Sequence, residues 1–175
     1  MALKAFLMAI TVSATALVSP SFAGDKQIID HEHVSVNFSM QHSKWAKYRG
    51  TIRTIAGEIF FDKIDVSKSS VKVEMATASV GTFDKGRDSD LQTYGFLNGS
   101  EFSRISFWRT RAEKTGDKRG QTAGNLSLAG VTKPVTLEQI FDGEGVSNWD
   151  ERMRVEFSAT GKELRDHRRC CTHPI

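Results

Sequence analysis

The sequence predicts an all-β domain of antiparallel strands, and three observations carry that expectation. Apolar residues recur at every second position in segment after segment, polar or Gly-containing breaks separate the segments, and no stretch after residue 23 sustains a helical period. The clearest unit is Gly124 to Leu137. Leu126 and Leu128 alternate with polar residues, a break runs from Gly130 to Pro134, and alternation resumes at Val135 and Leu137. This is the pattern of a β-hairpin, with Gly130 free to take a positive φ in the turn. Pro134 has no backbone N–H to donate, so its expected place is the start of the second strand.

The residues before this body are read separately. Lys4 precedes an apolar run from Ala5 to Val18, and Ser21 and Ala23 are small residues at the positions a signal peptidase reads. Residues 1–23 are therefore expected to be a cleaved signal peptide, which makes the mature protein exported and periplasmic. Roughly 150 residues remain, enough for one domain with one core. The domain is placed at 24–162, and residues 163–175 form an atypical tail. Charge is mixed, with a formal net of +3, and no single-signed stripe suits a phosphate backbone, so nucleic acid is not an expected partner. No cysteine lies between Gly24 and Arg169, so disulfides do not staple the body.

In chain order, Val34, Val36, Phe38 and Met40 form the first expected strand. A second begins at Arg49-Gly50 and carries Ile52, Ile55, Ile59 and Phe61. Ile55 breaks its alternation, and Gly57 suggests a bend or bulge. Val71, Val73 and Met75 make the third. Ser79 to Phe102 is charged and aperiodic, a long connection with a short helical turn expected over Asp88 to Thr93. Ile105 and Phe107 resume the alternation, and the charged tract Arg109 to Gly120 looks like a hairpin end. After the opening hairpin, Ile140 and Phe141 end its second strand, Asp142 to Asp150 is turn-rich, and Met153, Val155, Phe157 and Ala159 alternate again. A sandwich and an up-and-down barrel both fit this order.

Several pieces, in order, resemble the YceI-like family. They are Asp30-His31-Glu32-His33 leading into Val36 and Phe38, then His42, Arg49-Gly50, Gly57, Phe61-Asp62, and Ser69-Ser70-Val71. Ala78-Ser79, Thr82, Arg87-Asp88 with Leu91, Phe96-Leu97, Phe102 to Phe107, and Gly124 through Pro134-Val135 complete the set. The resemblance implies an exported, lipocalin-like, antiparallel up-and-down β-barrel that binds polyisoprenoid or related lipids. Three departures stand out. Ser103 replaces a usual proline, Asp90 replaces a usual histidine, and the residues after Lys162 lack the family's final alternating strand. The last strand is expected to be missing, which would leave open edges prone to pairing with another chain.

Under this resemblance the inward residues Val36, Phe38, Ile52, Ile59, Phe61, Val73, Phe107, Leu126 and Leu137 become the expected apolar lining. Without it, the same residues read as ordinary packed core. His33, His42 and Arg49 are candidates for a lipid head group such as a quinone oxygen or a pyrophosphate. Arg87 and Asp88 are expected to tie the long connection to the barrel, and Gly130 and Pro134 to shape the hairpin. Two clusters carry metal-ligating residue types, His31, Glu32 and His33 with His42, and His167, Cys170, Cys171 and His173. Neither has the spacing of a firm site, so no metal or cofactor is expected beyond a bound lipid. The paired cysteines suit a disulfide between two chains in an oxidising compartment. A homodimer and transient membrane contact complete the partners considered. No nucleophile elbow, P-loop or dinucleotide fingerprint occurs, and catalytic residues are expected to be none. The alternative is a periplasmic structural or stress-related interaction protein with a packed core.

Overall fold

Alternation builds the strands, because successive side chains of an extended chain point to opposite sides of the sheet. The structure is a computed structural model and describes residues 25–41 and 44–162. The expected signal peptide, His42 and the tail from Glu163, with its cysteines, lie outside them. Ten strands and one α-helix are formed by the described residues. They are β1 (Asp25–Ile28), β2 (Val36–Gln41), β3 (Lys47–Ile52), β4 (Ile55–Phe61), β5 (Ser70–Ala76), β6 (Val80–Gly81), α1 (Lys85–Leu91), β7 (Arg104–Lys114), β8 (Arg119–Leu128), β9 (Val131–Val146) and β10 (Met153–Gly161).

Seven strands form one antiparallel sheet in the order β1-β4-β5-β7-β8-β9-β10, and β2, β3 and β6 form a second. The register puts the expected inward residues side by side. Ile59 lies opposite Val71, Val73 opposite Phe107, and Phe107 opposite Leu126. The larger sheet curls into a half-barrel, so that β4 comes to face β9 and β10. Across the gap the Phe61 and Phe157 rings meet at 5.0 Å, and Lys63 reaches Glu144 at 2.5 Å. Among the described residues, no backbone ladder joins β1 to β10. The all-β, lipocalin-like reading holds, with this half-barrel as its form.

Where the two sheets and α1 meet, Ile52, Ile55, Met75, Val80, Leu91 and Ile105 are buried together. The interruption before Ile55 is not a bulge at Gly57. It is the corner at which the chain leaves the small sheet for the large one. There the Ser79 hydroxyl accepts the backbone N–H groups of Arg53 and Thr54, at 3.3 and 3.0 Å. Gly57 sits in regular register opposite Val73, where a side chain would strike the backbone of β5.

Other boundaries also differ from expectation. β1 has no apolar alternation and was not expected. It pairs with β4 through backbone groups, which side-chain pattern does not report. The helix begins at Lys85, three residues earlier than expected, because the Asp84 side chain caps it by accepting the Arg87 N–H at 2.9 Å. The charged tract is mostly strand, since β7 runs to Lys114 and β8 begins at Arg119. Arg111 and Glu113 pair on its solvent face, while Arg109 is half-buried. β9 likewise continues to Val146, through most of the expected loop.

The hairpin turn is only two residues, Ala129 and Gly130, both at positive φ (50° and 76°). That is the turn whose twist matches its flanking strands. Pro134 therefore lies inside β9 and not at its start. It is tolerated there because it faces Asn125 in a pair that, by alternation from the turn, exchanges no backbone bonds. Among the described residues β10 pairs with β9 only from Leu137 onward, and none of them pairs with Pro134 on that side.

Candidate functional site

The interior has a filled end and an open end. Toward the small sheet it is closed by the core, whose Ile52 is 8% exposed, and Phe107 at 7% is nearly as well covered. Val36, Phe38, Val73 and Leu126 pack against this core and are half-buried, and Ile59 and Leu137 are half-buried as well. At the other end lies a cavity of about 240 Å³. Phe61, Phe141 and Phe157 line it, with Val66 and Ala112. Of the residues expected to line a ligand site, Phe61 is the one in its wall.

Three strands supply those rings. Phe61 ends β4, Phe141 lies in β9, and Phe157 faces it directly from β10 at a bulge between Glu156 and Phe157. The rings form a triangle with centroids 5.0, 5.5 and 6.0 Å apart, one contact edge-on, one tilted and one stacked. Aromatic pairs in such arrangements attract beyond their buried area. The rim is charged, with Lys63, Glu144, Lys114, Asp117, Lys118 and Arg119. Oily at the bottom and ionic at the mouth, the cavity matches an amphiphile better than a fully polar solute. A second hollow, of about 280 Å³, is lined mainly by polar residues such as Arg119, Gln121, Glu138 and Ser158, and offers no comparable apolar floor.

Arg109 of β7 is half-buried. Its Nη2 donates at 2.5 Å to the carbonyl of Ser67, the residue after the cavity-lining Val66, and its buried Nε has no partner among the described residues. Burial lowers its affinity for a proton below the usual arginine value.

Residues 28–166 match the family model described as the YceI-like domain. The chain belongs to the YceI-like family. It is 36% identical over 167 residues to Protein YceI of Salmonella newport (strain SL254), covering 94% of this chain and 86% of that one. In structure it is similar to the Campylobacter jejuni YCEI protein, with a TM-score of 0.61 and 26% identity, covering 75% of this chain and 76% of that one. BcnA of Burkholderia cenocepacia shares the fold at a TM-score of 0.58 and 15% identity, over 69% and 70% of the two chains.

Of the expected head-group residues in this YceI-like chain, His42 lies outside the described residues, and His33 and Arg49 stand in different places. Arg49 lies on the exposed side of β3, between the inward-facing Tyr48 and Gly50. His33 sits elsewhere, its Nδ1 2.9 Å from the Asp30 carboxylate. Arg154 of β10 grips the same carboxylate and also reaches Asp150 at 3.1 Å. The Glu32 backbone N–H, His33 and Arg154 hold the Asp30 carboxyl down at about 2. Asp30, Glu32 and His33 bring donor atoms within 4.8 Å of one another, but the Arg154 guanidinium already supplies positive charge to Asp30.

Arg87 and Asp88, expected to tie the long connection to the barrel by a salt bridge, make their side-chain hydrogen bonds to Thr82, within the connection itself. Asp88 accepts the Thr82 N–H and hydroxyl, both at 2.6 Å, and Arg87 Nε donates to the same hydroxyl at 2.8 Å. The Arg87 guanidinium also lies 4.2 Å over the Tyr48 ring. The sequence reading missed Phe141, Phe157 and Arg109. The aromatics were visible as strand residues, but nothing in their spacing says that β4 and β10 meet.

Proposed function

We propose that this YceI-like chain is a non-enzymatic binding protein that holds an amphiphilic lipid, a long-chain isoprenoid, prenyl quinone or similar molecule, by its apolar part. The aromatic-floored cavity under a charged rim carries this reading. Each methylene moved from water into such a floor contributes about 0.8 kcal/mol, so tail burial alone can outweigh an association cost of about 4–15 kcal/mol. The Nε of Arg109, without a partner among the described residues, is a donor suited to a carbonyl or phosphate oxygen.

At about 240 Å³ the cavity is smaller than the roughly 300–1,000 Å³ of most ligand sites. A long tail therefore enters by parting the sheet ends. Among the described residues side chains bridge β4 and β10 without a backbone ladder, so that opening breaks contacts between rings and ion pairs. The expected leader places the chain in the periplasm as part of this proposal, and fractionation of cells expressing the full chain tests it. The edge of β10, unpaired among the described residues, is where a second copy would pair, which light scattering decides.

Native mass spectrometry of the folded protein, followed by organic extraction, tests the central claim. A stoichiometric long-chain lipid is expected. A folded monomer that carries nothing and takes up no added prenyl lipid overturns it. That result favours the packed-core interaction protein, a reading that the filled end of the interior supports.

A further inference from the structure

The small sheet carries a second feature, unrelated to the cavity. Between Glu32 and Glu58 the sequence contains no Asp or Glu, while Lys44, Lys47, Arg49 and Arg53 fall within that span. Lys44, Lys47 and Arg49 are exposed, and none of them forms an ion pair among the described residues. In their midst Trp45, between β2 and β3, is 85% exposed.

A second aromatic is brought to the same place. β6 runs antiparallel to β3, with Thr51 opposite Gly81, so the chain after Gly81 continues back alongside Arg49 toward Trp45. The Arg87 guanidinium over Tyr48 fixes that approach. On this segment Phe83 is 86% exposed, and the exposed Lys85 follows it. Phe83 also has φ at 65°, a conformation that costs a bulky residue free energy. The Thr82–Asp88 bonds on one side and the Asp84 helix cap on the other hold it there. A strained backbone that turns a phenylalanine out to water gains nothing from packing.

Exposed Trp45 among unpaired cations, with exposed Phe83 and Lys85 and an Asp84 carboxylate engaged by the Arg87 N–H and guanidinium, suits the interface of an anionic bilayer, where the rings settle at head-group level and the cations meet phosphates. We propose that residues 44–49 and 83–87 form a docking surface for an anionic lipid bilayer, with Trp45 and Phe83 entering the interface and Lys44, Lys47, Arg49 and Lys85 facing its head groups. Docking does not depend on cargo. A chain with an empty interior would bind the same surface.

The test is flotation of the full-length chain with vesicles of phosphatidylethanolamine and phosphatidylglycerol, against vesicles of phosphatidylcholine. Binding to the first and weak binding to the second are expected, with affinity falling as salt rises. Each cation replaced by Gln should weaken binding about fivefold. Trp45→Ser should weaken it further, and in a Trp108→Phe, Trp149→Phe background that keeps Trp45 its emission should shift to the blue on vesicle binding. Phe83→Gly relieves the positive φ, so it should keep or raise the melting temperature while lowering vesicle binding. That separates docking from folding. Trp149→Ser, at the 97%-exposed position between β9 and β10, should change nothing. The proposal is overturned by three outcomes. They are no binding by the folded protein, binding unchanged in Trp45→Ser and Phe83→Gly, or retention on a soluble polyanion without vesicle binding, which would assign the patch to an acidic protein.

Discussion

Phe61 and Phe157 meet edge-on at 5.0 Å across the gap between sheet ends that, among the described residues, no backbone ladder closes. One ring ends β4 and the other stands in β10, so the contact holds together sheet ends that are far apart in strand order. A ring contact of this kind contributes about 0.5–1.5 kcal/mol, little enough to open under thermal motion and enough to keep water out when closed. Phe61→Ala and Phe157→Ala should each lower stability, and a double-mutant cycle should return a coupling of about that size. Lipid exchange between vesicles should quicken in both variants. Additive losses in denaturant melts would show that the rings do not close the slot together.

The same gap is held at another point by Arg154 on Asp30, 124 residues away in sequence. Asp30 has an ordinary value near 3.8 and about 2 in the folded chain, held down chiefly by the Glu32 N–H and then by His33 and Arg154. A depressed folded value means the contribution is present above the unfolded value and lost as pH falls through the folded one. Asp30→Asn should therefore be less stable than the parent near neutral pH, and the difference should vanish as pH falls from about 4 to about 2. Thermal melts across that range check it. A difference constant down to pH 2 would mean that Asp30 is not ionised and gripped in the folded state.

Strand identity was legible in this sequence because alternation is a local consequence of the pleat. Val71, Val73 and Met75 announce β5, and Leu126 and Leu128 announce β8. Strand ends were less legible, since Arg111 and Glu113 look like loop residues until one sees that they occupy the solvent face. The broken alternation at Ile55 suggests a bend or bulge at Gly57, whereas the corner lies at Arg53 and Thr54, made by a serine hydroxyl 25 residues after Thr54. Local pattern holds no trace of that partner. The cavity depends on curl, which brings Phe61 to Phe141 and Phe157 through the summed twist of the intervening strands. Arg49 looked like a head-group residue by its nearness in sequence to His33 and His42, yet strand parity turns it outward.

The turn between β8 and β9 offers a paired test of backbone strain. Gly130 has φ at 76°, and the Phe102 ring fills the space a side chain would need. Gly130→Ala should cost about 1–3 kcal/mol from the strained conformation, before any clash with the ring is added. Ala129, at 50°, already bears such strain. Ala129→Gly should therefore be neutral or stabilising, because strain relief opposes the added freedom of the unfolded chain. Urea melts of the two variants should move in opposite directions, or only the first should move. Equal losses would place the turn in another conformation.

Arg109 separates folding from binding. Its Nη2 bond to the Ser67 carbonyl ties β7 to the turn before β5, but its buried Nε is without a partner among the described residues. Replacing a half-buried cation that is incompletely paired by an apolar side chain of similar length is often neutral or stabilising. Arg109→Met should accordingly melt at or slightly above the parent temperature. If Nε meets the polar end of the guest, the same variant should lose about tenfold in affinity for a prenyl lipid ending in a carbonyl or phosphate, about the loss of one charged hydrogen bond. It should bind a plain hydrocarbon of equal length as the parent does. Titration of both probes decides the matter, and equal losses for the two would mean that Arg109 shapes the cavity wall and does not recognise a polar group.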